Sequence, residues 1–256
     1  MPIKLKIKGL RMHIIPALSK AKISALLKLR QKKFRQQTHL VILEGKRLLS
    51  QLAEYGIQAR ELYISDEKDK TYIPATEVFS ISSAELKRLC DSEHPPGIAA
   101  LFDLPAPSRI SFRTALYLDG VSDPGNLGTI FRLATAFGID QILLSDDCCD
   151  VGSPKVIRAS LGAVYHIPFA ICDYQQLIAM DAQKYYLDMH GDIVLSSFQP
   201  GKTANIFILG SEAHGISESL KQEGIPGLSI EMSSAMESLN VAISAGILCH
   251  HLFVKR

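Results

Sequence analysis

The sequence predicts an α/β protein of two successive domains, a smaller one over residues 1–104 and a larger one over residues 112–256. Three observations predict it. Strand-like and helix-like apolar periods alternate along nearly the whole chain, the pattern of sheets covered by helices. The segment Leu104 to Ser108, with Pro105 and Pro107, interrupts both periods and reads as a linker. Charge is also unevenly divided: residues 1–47 hold 13 Lys/Arg and one acid, Glu44, a net of +12, while the rest holds 15 basic and 25 acidic residues, a net of −10.

In the first domain, residues 1–17 alternate Ile3, Leu5 and Ile7 with Lys4, Lys6 and Lys8, a period of two that suits an added edge strand or a basic arm. From Ser19, an expected N-cap, to Arg35 the pattern turns helical, with Ile23, Leu26, Leu27 and Phe34 as the apolar stripe. The apolar run Leu40 to Leu43 ends at Glu44 and Gly45 and leads into a helix over 46–55. Strands near 61–64, 78–81 and 97–102 and a helix over 83–90, capped by Ser82 or Ser83, complete a small α/β unit.

In the second domain, strands are expected at 115–118, 140–144, 164–169, 184–188, 205–209 and 228–232, with helices from 127, 154, 173 and 238. This order implies a mostly parallel sheet with helices on both faces. The last helix, Leu239 to Phe253, carries Val241, Ala242, Ile243, Ala245, Gly246, Ile247 and Leu248 almost without polar relief. A helix apolar all round must be covered all round, and a second subunit is the natural cover.

Composition narrows the function. A hydrophobic content of 47% with 21% charged residues is that of a soluble globular protein. No apolar run approaches the ~18 residues that span a bilayer, and the Lys-studded start lacks a signal-peptide core, so the cytoplasm is expected. Cys90, Cys148, Cys149, Cys172 and Cys249 form no CxxC pair, which argues for reduced thiols over a disulfide framework or a zinc ribbon. The basic N-terminal block points to a polyanion, with nucleic acid the best fit and Lys20, Lys28, Lys32, Lys33, Arg35, Lys46 and Arg47 the candidate contacts. The alternative is a solubilising basic helix.

The stretch Ala115 to Gly138 holds a strand, a Gly/Pro/Asp/Asn loop and a helix, with Asn126 in the expected N-cap position. On a helical wheel Leu127, Ile130, Phe131, Leu133, Ala134 and Phe137 share one face, and Gly128, Thr129, Arg132, Thr135 and Ala136 the other. Arg132 is the only charge on that small-residue face. Either something packs closely there and leaves room for a single guanidinium, or Arg132 is an ordinary surface residue.

Two further loops follow strands: Gly210 to Ser217, and Ser233 to Asn240, with Ser238 expected to cap the last helix. If the strands are parallel, all three loops leave the same sheet edge, where α/β proteins bind ligands. The chain has no GxGxxG after a strand, no GxxxxGK[ST], no HxxxH or HExxH and no GxSxG, which removes dinucleotide binding, nucleotide hydrolysis, common zinc chemistry and the serine elbow; no metal is expected.

NLGTIFRLATAFG (126–138), ILGSEAHGIS (208–217) and IEMSSAMESLNVAISAGIL (230–248) resemble, in order and spacing, the three motifs of the SpoU (TrmH) family of the SPOUT superfamily. IRASLGAVYHIPF (157–169) is similar to the family's intervening segment. KKFRQQTHLVILEGKRLL (32–49) and HPPGIAAL (94–101) resemble the L30e-like substrate-binding domain of many members. The resemblance implies an α/β domain with a deep trefoil knot, a homodimer, and methylation of RNA ribose 2′-hydroxyls by S-adenosyl-L-methionine. It also implies a catalytic group of Asn126, Arg132, Glu212, Ser238 and Asn240, and cofactor contacts at Leu209, Gly210, Gly215, Ile230, Met232 and Leu239, made mostly through backbone. Gly210 suits that place because a backbone without Cβ allows close approach. Three positions depart from the family pattern: Glu231 replaces the usual Pro, and Ser211 and Ala213 replace the commoner Asn and Gly.

A ribose 2′-hydroxyl is a weak nucleophile, so methyl transfer requires in-line alignment and removal of its proton. A guanidinium is a poor base, which leaves Arg132 as either the base or a clamp on the neighbouring phosphate. Ribosomal RNA is the expected substrate, with transfer RNA as the alternative. A non-catalytic RNA-binding protein of the same fold is the rival reading, opposed by the presence of the whole catalytic group.

Overall fold

The computed structural model describes residues 3–5, 13–65, 73–91, 97–211, 214–233 and 235–255. The chain divides into two compact units, Met1–Pro105 with Gly152–Pro154, and Ala106–Val151 with Lys155–Arg256. No described helix is long and apolar enough to cross a membrane.

The first unit opens with a two-stranded antiparallel ribbon, β1 (Ile3–Leu5) and β2 (His13–Ile15), in which Ile3 pairs with Ile15. Helices α1 (Lys20–Lys28) and α2 (Lys32–Thr38) precede β3 (Leu40–Glu44), α3 (Lys46–Glu54), β4 (Ala59–Ile64), β5 (Ala75–Ser80), α4 (Ser83–Leu89) and β6 (Ile98–Asp103). The sheet runs β3-β6-β4-β5, antiparallel except for the parallel pair β4/β5. Ser19 caps α1 by accepting from Lys22 N at 3.2 Å, and Ser82 with Glu85 forms a full capping box on α4.

The single helical pattern expected from Ser19 to Arg35 is broken between α1 and α2. Arg35 serves that break. Its side chain turns inward, only 5% exposed, and donates from Nη1 to Leu29 O at 3.3 Å and Arg30 O at 3.1 Å, the carbonyls freed at the break. Arg35 is therefore a structural residue, which corrects its place among the RNA contacts. Lys20, Lys28, Lys32, Lys33, Lys46 and Arg47 are all exposed on the surface of the unit.

The second unit holds a seven-stranded sheet in the order β11-β13-β10-β12-β7-β8-β9, every pairing parallel. Its elements are β7 (Thr114–Asp119), α5 (Pro124–Ala136), β8 (Gln141–Leu144), α6 (Pro154–Ala159), β9 (Phe169–Ile171), α7 (Tyr174–Ala179), β10 (Gln183–Leu187), β11 (Ile193–Val194), β12 (Asn205–Gly210), α8 (Glu218–Gln222), β13 (Gly227–Ser229) and α9 (Val241–Val254). β7, β8 and β12 are buried at successive positions, so both of their faces are covered, as a parallel sheet requires. Tyr117, Phe131 and Phe207 are the largest side chains sealed in this core.

Two expected strands are shorter or displaced. The segment expected as a strand over 164–169 forms a 3-10 turn at Ala163–Tyr165, and β9 starts only at Phe169, because Pro168 has no N–H for a ladder and supplies its carbonyl to Ile142 N instead. β13 stops at Ser229, so Ile230 to Met232 already belong to the loop. On α9, Val241, Ala242, Ala245, Leu248, Cys249 and Leu252 face the core, while Ile243, Ile247, Phe253 and Val254 are 38–63% exposed.

Candidate active site

The parallel sheet delivers the loops after β7, β12 and β13 to one edge. β7 and β12 are neighbours with Asp119 opposite Gly210, so their loops leave side by side. Asp119 joins them further: its Oδ2 accepts from Ser217 N at 2.9 Å, at the start of α8. The loop after β8 braces the first one from behind, where Ser145 Oγ accepts from Gly120 N at 2.9 Å and Cys149 N donates to Val121 O at 3.1 Å. Burial pushes the thiol of Cys148 up and that of Cys149 up to about 12, which disfavours the thiolate at both.

Helix α5 begins three residues earlier than expected. Asp123, not Asn126, is its N-cap, with Oδ1 accepting from Asn126 N at 2.8 Å and Pro124 in the first turn, where a missing N–H costs nothing. Asn126 therefore stands in the first turn and not at the cap. Gly128, on the small-residue face where close packing is one of the two readings, is buried: a Cβ there would lie 2.5 Å from Ala159 Cβ, so the glycine lets α6 close on α5.

The cap of α9 is Asn240 and not Ser238. Asn240 Oδ1 accepts from Ala242 N at 2.9 Å and Ile243 N at 3.3 Å. Because that oxygen is committed to the helix, the amide nitrogen is the group that faces Asn126, and Asn240 Nδ2 donates to Asn126 Oδ1 at 3.1 Å. The helix cap thus fixes the orientation of a second amide 114 residues away and turns the NH2 of Asn126 away from Asn240.

Of the remaining catalytic candidates, Arg132 lies on α5 beyond Asn126, exposed and with no hydrogen bond or ion pair to any described residue. Ser238 lines a cavity at the sheet edge. Glu212 lies outside the described residues, as does Ala213.

That cavity, of about 390 Å³, is within the roughly 300–1,000 Å³ range of small-molecule sites. Leu209, Gly210, Gly215, Ile230, Met232 and Leu239 all line it. Buried Leu209, Ile216 and Leu228 give it apolar walls. The reason for Gly210 differs from the one expected: a Cβ there would lie 2.1 Å from Gly215 C, so the glycine is demanded by the loop's closure on itself. Ser211 and Gly215 exchange backbone hydrogen bonds of 3.0 and 2.9 Å, and His214 N donates to Ser211 Oγ. Glu231, in place of the usual Pro, accepts from Ser196 Oγ at 2.6 Å and so ties the third loop to the chain after β11.

The loop after β7, expected at the same edge, contributes no residue to this cavity, and sequence reasoning missed another of its walls. Leu187 to His190, leaving the end of β10, and Lys221 on α8 also line the cavity. The signal is present in the sequence, since a strand is expected at 184–188 and the rule that loops after parallel strands share an edge applies to it equally.

Comparison with known proteins agrees with this architecture. The profile of the SpoU rRNA Methylase family matches residues 113–250, and that of the MRM3-like substrate binding domain matches residues 20–100. The chain is 28% identical over 249 residues to the 23S rRNA (guanosine(2553)-2′-O)-methyltransferase RlmP of Bacillus subtilis, covering 94% of this chain and 99% of that protein. A TrmH-family structure from Porphyromonas gingivalis superposes with a TM-score of 0.78 at 31% identity, over 92% of this chain and 98% of the other. The SpoU methyltransferase AviRb of Streptomyces viridochromogenes, solved in complex with AdoMet, shares the fold with a TM-score of 0.79 at 20% identity, over 93% and 98% of the two chains.

Proposed function

The chain belongs to the SpoU rRNA methylase family, and on that premise we propose that it transfers a methyl group from S-adenosyl-L-methionine to a ribose 2′-hydroxyl of ribosomal RNA. The observation that carries the reading is the meeting of the first and third motifs through the Asn126 to Asn240 hydrogen bond beside a ligand-sized cavity.

The cavity suits this cofactor. Apolar walls of Leu209, Ile216 and Leu228 fit a flat base, and the carboxylates of Asp188 and Glu237, with Lys221 beside Asp188, fit a ligand that carries both polar edges and a positive charge. Leu209, Gly210, Gly215, Ile230, Met232 and Leu239 would hold it, and when bound it supplies an electrophilic methyl. The chain's own residues then have distinct tasks. Asn126, oriented by Asn240, offers its NH2 to the ribose or to its phosphate. Arg132, exposed and unengaged among the described residues, holds the phosphate next to the reacting ribose, or takes the 2′-hydroxyl proton. Ser238 and Glu212 complete the group around the hydroxyl.

RNA is held by the basic first unit. Lys32 and Lys33 open α2, and Lys46 and Arg47 open α3; both helices lack a side-chain cap and an acid in the first turn. Cations at a helix N-terminus oppose its dipole, an arrangement that folding does not favour and a polyanion offsets. The exposed Ile243, Ile247, Phe253 and Val254 of α9 form a homodimer contact, and Ile247→Glu should yield a monomer in analytical ultracentrifugation. The C-terminal segment is threaded as a deep trefoil knot, and the protein works in the cytoplasm, where its five free cysteines stay reduced.

The test is mass spectrometry of ribose methylation in RNA from cells with and without the gene. A 2′-O-methyl nucleotide of ribosomal RNA should disappear with the gene. Loss of a transfer RNA methylation instead would move the substrate, and no change at all would favour a non-catalytic RNA-binding protein.

A further inference from the structure

Two charged side chains on the cavity wall come from elements that no motif singles out. Asp188 follows β10 and Lys221 lies on α8, with Lys221 Nζ 3.5 Å from Asp188 Oδ2. The carboxylate is held in place, since Asp188 Oδ1 accepts from His190 N at 2.9 Å and Asp188 N donates to Leu228 O at 3.0 Å. Asp188 is largely withdrawn from bulk solvent at 23% exposed, while Lys221, at 36%, reaches it from the exposed rim. Lys221 also has Glu218 Oε1 at 3.9 Å, but that partner is 81% exposed, so Asp188 is its engagement inside the cavity.

We propose that Asp188 and Lys221 read the hydrogen-bonding edge of the cofactor's adenine, Asp188 accepting from the exocyclic amino group and Lys221 donating to ring N1. The inference rests on the cofactor reading above. Its first support is chemical. Adenine presents one donor beside one acceptor on that edge, and an ionised Asp is acceptor-only while a Lys ammonium is donor-only, so the two side by side are its complement. Its second support is position. β10 is separated from β7 by β12, and with strands about 4.8 Å apart the ends of β7 and β10 lie about 10 Å from one another. Asn126 and Arg132 follow β7, so the methyl must be delivered there, and adenine is the part of the cofactor on the far side of the ribose from the sulfonium. Its third support is the surface beside the pair, where buried Leu209, Ile216 and Leu228 suit the faces of a base. A contact with the ribose diol would employ Asp188 and leave Lys221 only its ion pair with that carboxylate.

The pairing makes a sharp demand on specificity. Hypoxanthine reverses both groups, with an acceptor at position 6 and a donor at N1, so an inosyl ligand would set oxygen against the carboxylate. The experiment is titration calorimetry of the full-length protein with S-adenosylhomocysteine, its deaminated S-inosyl counterpart and methylthioadenosine, none of which requires turnover. The unsubstituted protein should prefer the adenosyl over the inosyl ligand by about tenfold or more, the scale of one charge-assisted hydrogen bond. Asp188→Asn, which keeps the oxygen that accepts from His190 N, should weaken S-adenosylhomocysteine by about tenfold and narrow or invert that preference. Lys221→Met should weaken it too. Methylthioadenosine carries the same base and should lose as much as S-adenosylhomocysteine in both variants. An unchanged adenosyl-to-inosyl ratio in Asp188→Asn overturns the proposal, as does a loss that spares methylthioadenosine, which would put the pair at the amino-acid end. Binding of none of the three ligands by the unsubstituted protein would instead overturn the cofactor reading, and this inference with it.

Discussion

Asn240 has two jobs in the structure, and one substitution separates them. Its Oδ1 caps α9 through Ala242 N and Ile243 N, while its Nδ2 donates to Asn126 Oδ1 at 3.1 Å. Asn240→Asp keeps the first and removes the second. Asp caps a helix as well as Asn does, and its charge is favourable at the N-terminus by about 0.3–1 kcal/mol, so the cap is conserved. The donated hydrogen bond is worth about 0.5–1.5 kcal/mol, and an Asn126 amide that turns over restores one in the reverse direction, so the net change in stability is small. Asn240→Ala removes both jobs, at about 1 kcal/mol for the cap and about 1 kcal/mol for the hydrogen bond. For a chain of this size that difference corresponds to roughly 4–8 °C in melting temperature.

Turnover should rank the variants differently. With a carboxylate in place of the Asn240 amide, the Asn126 amide no longer meets a donor and turns its NH2 toward residue 240, so Asn240→Asp should lose activity as severely as Asn240→Ala while melting within about 2 °C of the parent protein. The assays are denaturant or thermal unfolding beside single-turnover methylation of ribosomal RNA. If Asn240→Asp keeps full activity, the orientation of Asn126 has no catalytic weight. If it is as unstable as Asn240→Ala, the cap is not what the carbonyl oxygen of Asn240 provides.

Arg132→Ala should abolish methyl transfer while leaving S-adenosylmethionine affinity within a few fold, because Arg132 does not line the cavity; near-normal turnover would end its catalytic role. Reversing Lys28, Lys32 and Lys33 to Glu should weaken RNA binding and lower its salt slope by somewhat under one unit for each phosphate no longer neutralised, read by filter binding across a salt series. Arg35→Ala, in contrast, should leave the salt slope unchanged and cost about 2 kcal/mol in denaturant unfolding, since its buried guanidinium serves the carbonyls of Leu29 and Arg30. Cys149, with its thiol pushed up to about 12 by burial, should alkylate at pH 9 at least tenfold more slowly than in the unfolded chain. Because that folded-state value is raised, its contribution to stability is whole below about pH 8.5 and is lost as pH rises toward 12, so the fall in stability across that window should be smaller in Cys149→Ala.

The parallel sheet and the loops at its edge are legible in the sequence because their signals are periodic and local: β7, β12 and the apolar run of α9 each declare themselves within a few residues. What is not legible depends on where a side chain turns. Arg35 falls in a basic run and counts as a surface charge until the break between α1 and α2 exposes carbonyls for it to serve. Asn126 and Ser238 both occupy plausible cap positions, and local sequence cannot rank them against Asp123 and Asn240, which are equally good cap residues. The choice is made by Pro124 in one case, whose fixed φ starts the helix early, and in the other by the 3.1 Å hydrogen bond with Asn126, a partner more than a hundred residues away. The misplaced caps therefore mark the site. Each residue displaced from a capping role is one whose side chain the structure leaves at the sheet edge, Asn126 toward Asn240 and Ser238 toward the cavity, and a helix that starts away from the simplest reading is how the chain brings those groups to the site.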